Sequence, residues 1–145
     1  MTSNYLTLDI RRLIMKLFSV EEANALLPTV RPILRALQHS HQRVRRFAAG
    51  AQHAAEGAKL GGGGMADGSR YLATLLNLTE RIGELEALGI QLKDIERGLI
   101  DFPSLREGRV VLLCWYLGEG DQIAYWHETD AGFAGRQPLY DSPNK

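Results

Sequence analysis

The spacing of apolar residues changes at Gly89, and this change constrains the fold more than any other feature of the chain. Before Gly89, apolar positions recur at alternating intervals of four and three residues, which predicts helices packed lengthwise on each other. After it, segments such as "IQLKDI" and "QIAYWHE" alternate in polarity, which is the period of a strand. Helices first and strands second predict an α+β domain, which we place at residues 16–140.

Two series of apolar residues predict a long antiparallel helical hairpin over residues 29–89. The first series is Val30, Leu34, Leu37, His41, Val44, Ala48, Ala51 and Ala55, and the second is Tyr71, Leu75, Leu78, Ile82 and Leu85. Between them lies "GAKLGGGGMADG". Four consecutive glycines are typical of a flexible loop, so residues 57–69 are predicted to form a mobile tip.

A short helix is predicted ahead of the hairpin. Ser19 and Glu22 have the spacing of a capping box, which marks a helix start. Pro28 predicts an end near Leu27, because the residue before a proline avoids the helical region. Pro28 and Pro32 then suit the start of a second helix; in a single continuous helix, Pro32 would cause a kink. The preceding residues 1–15 are predicted to form an extended arm.

The remainder of the domain is predicted to be an antiparallel β-meander over residues 90–128. Its turns are expected at residues 96–98, 103–108 and 118–121, where glycine or proline accompanies polar residues. Short connections of this kind favour antiparallel neighbours. The residues that follow are predicted to be loop, with 141–145 as a tail.

The connection "GEGD" sets a strand register that sorts side chains onto two faces. Trp115 and Trp126 share a face that is predicted to pack on the helices. The other face is also apolar, whereas an antiparallel sheet exposed on one side alternates apolar with polar residues. We therefore expect a second copy of the chain to cover it, in a homodimer. The predicted interface residues are Leu112, Cys114, Tyr116, Ile123 and Tyr125, with Tyr116 opposite Ile123, Cys114 opposite Tyr125 and Leu112 opposite His127.

Polar residues around the end of the last strand form the candidate ligand-binding set: Asp101, Glu119, His127, Glu128 and Arg136. Adjacent strand residues point to opposite faces, which separates His127 from Glu128. Arg136, in "GFAGR", is expected either to bind an anion or to form a structural ion pair with Asp101 or Glu128. No catalytic residue, metal or cofactor follows from the residues alone.

Composition argues against several classes of function. Seventeen basic residues balance seventeen acidic ones, which argues against nucleic-acid binding. The single cysteine excludes a disulfide within the chain. No run approaches the roughly 20 apolar residues of a membrane span, and the N-terminus lacks a secretory signal, so a cytoplasmic location is expected.

Several motifs together resemble a bacterial family catalogued as a domain of unknown function, number 2203. They are "FSVEEANALLPTVRPIL", "GLIDFP", "LCW", "YWHE" and "GFAGR", and the resemblance extends from Leu17 to about Leu139. The family implies no activity, cofactor or catalytic residue. Two hypotheses follow: a self-associating interaction module without catalytic activity, or a small ligand- or metal-binding protein, with hydrolysis as one option, whose site lies near the end of the last strand.

Overall fold

In a computed structural model, which describes residues 15–57 and 64–140, two helices precede a five-stranded antiparallel sheet. The helices are α1 (Val20–Gly57) and α2 (Gly64–Ala87). The strands are β1 (Gln91–Asp94), β2 (Leu99–Arg106), β3 (Arg109–Tyr116), β4 (Tyr125–Glu128) and β5 (Gln137–Pro138), in that order across the sheet. The predicted α+β class is confirmed.

Parts of the predicted outline fall elsewhere. Of the tip predicted at residues 57–69, Gly57 is the last residue of α1 and residues 64–69 belong to α2; residues 58–63 lie outside the described residues. The predicted tail at 141–145 and the predicted arm, apart from Met15, also lie outside them. Within the ranges that the structure covers, neither helix is long and apolar enough to cross a membrane.

The prediction of a separate short helix before Pro28 is wrong, because α1 runs through both Pro28 and Pro32. Ala23, Leu27 and Val30 are fully buried on one side of α1, in phase with the series predicted for the hairpin. A proline inside a helix costs about 3 kcal/mol, but each buried leucine or valine contributes about 1.5–3 kcal/mol. Continuous burial on one face therefore outweighs the prolines.

The predicted capping box at the start of α1 is present. The backbone N–H of Glu22 donates to Ser19 Oγ at 3.0 Å, and the N–H of Ser19 donates to Glu22 Oε1 at 3.4 Å. These bonds satisfy two of the N–H groups that a helix start leaves without partners.

The helices pack on the sheet face that carries both tryptophans, as predicted. The core combines residues from both layers: Phe18, Ala23, Leu27, Val30, Leu34, Leu37 and Leu85 with Ile90, Ile100, Phe102, Val111, Leu113, Trp115, Ile123 and Trp126. Ile123 was assigned to the other face, and that assignment is wrong. Its backbone N–H donates to Asn24 Oδ1 on α1 at 2.7 Å. β4 begins only at Tyr125, so the chain before it is free to turn Ile123 into the core.

The β2–β3 hairpin turns at Glu107 and Gly108, whose positive φ angles of 51° and 77° are those of a type I′ turn. A turn was predicted over residues 103–108, but Pro103 lies inside β2. The Pro103 carbonyl accepts the N–H of Phe18 at 2.7 Å. The proline therefore presents its backbone to the edge away from β3, where its missing N–H breaks no bond of the β2–β3 ladder.

The register predicted between β3 and β4 is confirmed for Cys114 opposite Tyr125 and for Leu112 opposite His127. The segment predicted as loop after β4 contributes one more strand, β5, which pairs with β4. The sheet therefore extends beyond residue 128, the predicted end of the meander.

Candidate metal centre

Three strands bring an aspartate, a cysteine and a histidine together on the sheet face that points away from the helices. Asp101 lies directly opposite Cys114 across β2 and β3, and His127 lies on β4, two residue pairs further along the β3–β4 ladder and on the same face. One potential ligand atom from each side chain lies within 4.8 Å of the others. Asp101, Cys114 and His127 are 1%, 0% and 3% exposed, so the cluster is enclosed by the protein.

Both ring nitrogens of His127 have close partners. Nδ1 lies 2.7 Å from the Glu128 carbonyl oxygen; a carbonyl only accepts, so Nδ1 carries hydrogen and donates it. Nε2 lies 3.0 Å from Asp101 Oδ2. Two lone pairs at that distance repel each other, so a proton or another cation must lie between them.

The second carboxylate oxygen of Asp101 belongs, with Trp126 Nε1 and Arg136 Nε, to a small group of buried side-chain atoms. Oδ1 is buried and has no hydrogen-bond partner among the described residues. The nearest formal cation to this carboxylate is Lys93, whose Nζ lies 3.9 Å from Oδ2. Leaving a buried polar atom without a partner costs about 1–3 kcal/mol, and more for a charged group. A buried atom of this kind calls for an explanation, and a bound water or ion is one.

Cys114 does not have the environment of a catalytic thiol. Burial raises the pKa of Cys114 to about 12, and the negative charge of Asp101 adds to the effect. A nucleophilic cysteine needs the opposite shift and a base that can take its proton. His127 has no free nitrogen for that purpose, because the Glu128 carbonyl and Asp101 engage both.

We predict that the Cys114 thiol is unreactive in the metal-free native protein. At pH 8 a disulfide reagent such as Ellman's reagent should modify it only after unfolding. Between about pH 9 and pH 12 the unfolded state loses the thiol proton while the folded state keeps it. Stability should therefore fall with rising pH, by at most about 1.4 kcal/mol per pH unit. Urea titrations should show a shallower fall for Cys114→Ala; equal slopes, or rapid native labelling, would contradict the burial.

Arg136 forms an ion pair, but with a different partner from those predicted. Its Nη2 donates to Glu119 Oε1 at 2.5 Å and to Oε2 at 2.6 Å, and the two side chains are 11% and 8% exposed. The two predicted partners have other contacts: Asp101 contacts His127, and Glu128 pairs with Arg109. The ion pair with Glu119 is therefore present, while Arg136 Nε is buried without a hydrogen-bond partner among the described residues, and the anion site stays a prediction.

The same arginine lies over the aromatic residues of the outer face. Its Cζ is 4.2 Å from the ring centre of Tyr125, 4.8 Å from that of Phe133 and 5.5 Å from that of Tyr116. Nη2 also donates to the Cys114 carbonyl at 3.3 Å. The segment after β4 therefore folds back over part of the face for which a second copy was predicted.

The five predicted ligand-binding residues thus divide into three groups. Asp101 and His127 join Cys114, while Glu119 pairs with Arg136. The Glu128 side chain is held elsewhere by Arg109, at 2.6 Å, and the hydrogen bond from Arg109 lowers the pKa of Glu128. Only the Glu128 backbone carbonyl belongs to the cluster.

The predicted interface residues are placed as follows. Leu112 and Cys114 are buried within the single chain, whereas Tyr116 and Tyr125 are half-buried. The sequence reasoning missed Lys93, and it placed Asp101 outside the immediate reach of Cys114. The signal for the Asp101–Cys114 pair was present in "REGR", a two-residue hairpin turn that sets those two residues opposite each other.

Fold and site together define a small α+β protein with a helical hairpin, an antiparallel sheet and a buried Asp–Cys–His cluster. The family of uncharacterized conserved proteins called DUF2203 matches residues 16–139, and the chain belongs to that family. This confirms the resemblance and its extent. Comparisons with curated proteins and with solved structures gave no match.

Proposed function

We propose that the protein binds one divalent transition-metal ion of the zinc class through Asp101, Cys114 and His127. One observation carries the proposal: three potential ligand atoms lie within 4.8 Å of one another, in a cluster in which Asp101 Oδ1 is buried without a hydrogen-bond partner. Burial of three such groups costs stability unless something satisfies them. A bound cation would satisfy all three at once.

The donor set selects the kind of metal. One thiolate, one imidazole and one carboxylate suit Zn²⁺ and related ions, whereas Mg²⁺ and Ca²⁺ prefer oxygen ligands alone. The bond from Nδ1 of His127 to the Glu128 carbonyl orients the ring as histidine ligands usually are, with Nε2 left to face the metal.

The charge of the cluster fits a divalent ion. Without metal, one proton is needed between His127 and Asp101, and a second proton stays on the Cys114 thiol. A divalent cation that displaces both protons leaves the total charge of the cluster unchanged. This balance matters because an uncompensated charge in a buried site is costly.

The burial of the cluster bears on the choice between binding and catalysis. Three protein ligands leave one position on zinc for water or another ligand, as in catalytic sites. A substrate must reach that position, and all three side chains are nearly fully buried. We therefore propose a stabilising or sensing role for the metal, and hydrolysis becomes the weaker alternative. A reducing cytoplasm, which keeps the thiol available, is the proposed location.

Metal titration of the purified full-length chain tests the proposal. Cobalt(II), which reports thiolate coordination through a charge-transfer band in the near ultraviolet, should bind with one-to-one stoichiometry and be displaced by zinc. Zinc should also raise the melting temperature, because a ligand that binds only the folded state stabilises it. His127→Ala and Cys114→Ser should each weaken binding by at least about 100-fold.

His39→Ala is the matched control, because His39 is an exposed histidine on α1, and it should bind as the original chain does. Circular dichroism identifies any variant that fails to fold. The proposal would be refuted if no cobalt band appears at micromolar protein. It would also be refuted if His39→Ala weakens cobalt binding as much as His127→Ala does. The cluster would then be a hydrogen-bonded core.

Self-association is a separate proposal. Leu112 and Cys114, predicted from the sequence to face a partner, are already buried within one chain. The prediction of a homodimer therefore needs a different surface, and exposed leucines on α2 offer one.

A further inference from the structure

The solvent-facing side of α1 carries a line of basic residues. Arg35, His39, Arg43 and Arg46 are all exposed, and their intervals of four, four and three residues place them on one side of the helix. We call these four residues the basic stripe. The sequence from Ala23 to Ala55 contains no aspartate or glutamate. The equal numbers of basic and acidic residues in the whole chain therefore conceal an uneven distribution.

The basic stripe lies on the side of α1 that the rest of the fold leaves free. One flank of the helix meets the β1–β2 connection, where Gln38 donates to the Glu96 carbonyl at 2.8 Å and Arg45 pairs with the Glu96 carboxylate at 2.7 Å. The other flank meets α2, where the rings of Phe47 and Tyr71 lie 5.8 Å apart. By helical spacing the stripe falls between these two flanks, opposite the buried side of the helix.

The three arginines of the basic stripe have no ion pair with any residue that the structure describes. The arginines that do pair with a carboxylate are Arg31, Arg45, Arg81, Arg97, Arg109 and Arg136. A guanidinium group is a rigid fork of five N–H donors that matches the oxygen atoms of a phosphate. The stripe therefore presents three such groups to an external anion.

The composition of the basic stripe indicates the class of partner. The other residues on that side of α1 are Pro32, Gln42 and Gly50, so the surface has no leucine, isoleucine or aromatic side chain. Protein interfaces are built around an apolar core, and a helix that lies on a membrane needs an apolar face. Binding by positive charge alone is instead typical of proteins that contact the phosphate backbone of nucleic acids.

The shape of the surface distinguishes among nucleic acids. An α-helix with its side chains is about 10–12 Å across, and the major groove of B-form DNA, about 12 Å wide, admits it. Side chains cannot read the narrow major groove of duplex RNA, and single strands are bound by stacking on aromatic residues, which the stripe lacks. After Ser40 and up to Gly50, no side chain of α1 is buried, so this half of the helix lies outside the core.

We propose that α1 binds duplex DNA through the basic stripe, with Arg35, Arg43 and Arg46 contacting backbone phosphates along the major groove and without selecting a sequence. Arg35 and Arg46 are eleven residues apart, which is about 16 Å along a helix and spans about five base pairs. The stripe belongs to the helical layer, whereas the metal cluster lies on the sheet face that points away from the helices. Either proposal can therefore fail alone.

Fluorescence anisotropy of a fluorescein-labelled DNA duplex of about 20 base pairs tests the proposal with the full-length chain. Binding should saturate with a Kd of about 1–100 μM at about 50 mM NaCl, in the range of non-specific DNA binding. Raising the salt to about 200 mM should weaken binding about 40-fold, because three phosphate contacts displace condensed counterions. Arg43→Gln alone should reduce the slope of log affinity against log salt by about one.

A pair of triple variants separates the basic stripe from net charge. Changing Arg35, Arg43 and Arg46 together to glutamine should weaken binding by at least about 30-fold and remove most of the salt dependence. The matched control is the combination of Arg45→Gln, Arg81→Gln and Arg97→Gln, which removes the same charge from arginines that already have carboxylate partners. The control should weaken binding by less than about threefold, and circular dichroism should show both variants folded.

Three outcomes would overturn the proposal. The first is the absence of saturable binding to the DNA duplex at about 50 mM NaCl. The second is an equal loss of affinity in the two triple variants, which would mean that net charge and not the basic stripe attracts the DNA. The third is tighter binding to an RNA duplex of the same sequence, which would contradict the fit of α1 to the major groove of B-form DNA.

Discussion

Arg136→Met is expected to lower the free energy of unfolding by about 3–5 kcal/mol, because it leaves the buried Glu119 carboxylate without compensation. Arg136 donates to both carboxylate oxygens of Glu119, and the two side chains are 11% and 8% exposed. The substitution also removes the guanidinium from the face of Tyr125, 4.2 Å away. Methionine keeps the aliphatic part of the arginine side chain and its apolar contacts. The loss in the free energy of unfolding therefore comes chiefly from removal of the charge.

Urea unfolding followed by tryptophan fluorescence measures this change, and Arg45→Met is its control. Arg45 and Glu96 form an ion pair at 2.7 Å whose side chains are both exposed, so its loss should cost less than about 1 kcal/mol. The double variant Arg136→Met with Glu119→Gln should recover part of the stability, because no buried charge remains. Equal midpoints for Arg136→Met and the original chain would mean that the pair is solvated and contributes little.

Trp115→Ala should be the most damaging change in the sheet, with a loss of about 3–5 kcal/mol. The side chain is completely buried between the helices and the sheet. Its Nε1 donates to the Gly120 carbonyl at 3.1 Å, and the Arg31 guanidinium lies 5.5 Å from the ring. Alanine leaves a large cavity and removes the side chain that anchors the β3–β4 connection to the core.

The control for Trp115→Ala is Leu105→Ala, which truncates an exposed residue of β2 and should change stability by about 0.5 kcal/mol or less. Chemical unfolding monitored by circular dichroism suits both variants, because it does not depend on the tryptophan removed. Similar losses for the two variants would show that Trp115 does not hold the layers together.

Much of the helical layer could be predicted from apolar spacing alone, because burial on one face follows the helix period. The error at Pro28 arose from giving a local rule priority over that period. Ala23 lies four residues before Leu27, and Leu27 lies three residues before Val30, the first member of the predicted series. The helical spacing of apolar residues is therefore unchanged across Pro28. A long, in-phase apolar face outweighs one or two prolines.

The cluster of Asp101, Cys114 and His127 was only partly predictable, because it depends on two strand registers. The register predicted across the β3–β4 connection places His127 near Cys114, and the structure confirms it. The turn before β3 was placed over residues 103–108 when it occupies only Glu107 and Gly108. In a sheet a small error in register redirects every side chain, and here it hid the pairing of Asp101 with Cys114.

The partner of Arg136 could not be read from the sequence for a different reason. Glu119 and Arg136 both lie in connections between strands, where no period governs side-chain direction. Their meeting depends on how two loops fold back over the sheet, where Phe133 contacts Tyr116 with ring centres 6.2 Å apart. The two predicted partners were Asp101 and Glu128, and the tertiary structure brings a third carboxylate, that of Glu119, to Arg136.

The order of the strands has a consequence for the folding pathway. Every strand pairs with its neighbour in the chain, so sheet formation closes only short loops, which costs little chain entropy. We expect the β2–β3 hairpin, with its two-residue turn, to organise early. The bond between Asn24 and Ile123 joins residues 99 positions apart and should form late, as α1 docks. Substitutions at Asn24 should therefore accelerate unfolding and leave the refolding rate almost unchanged.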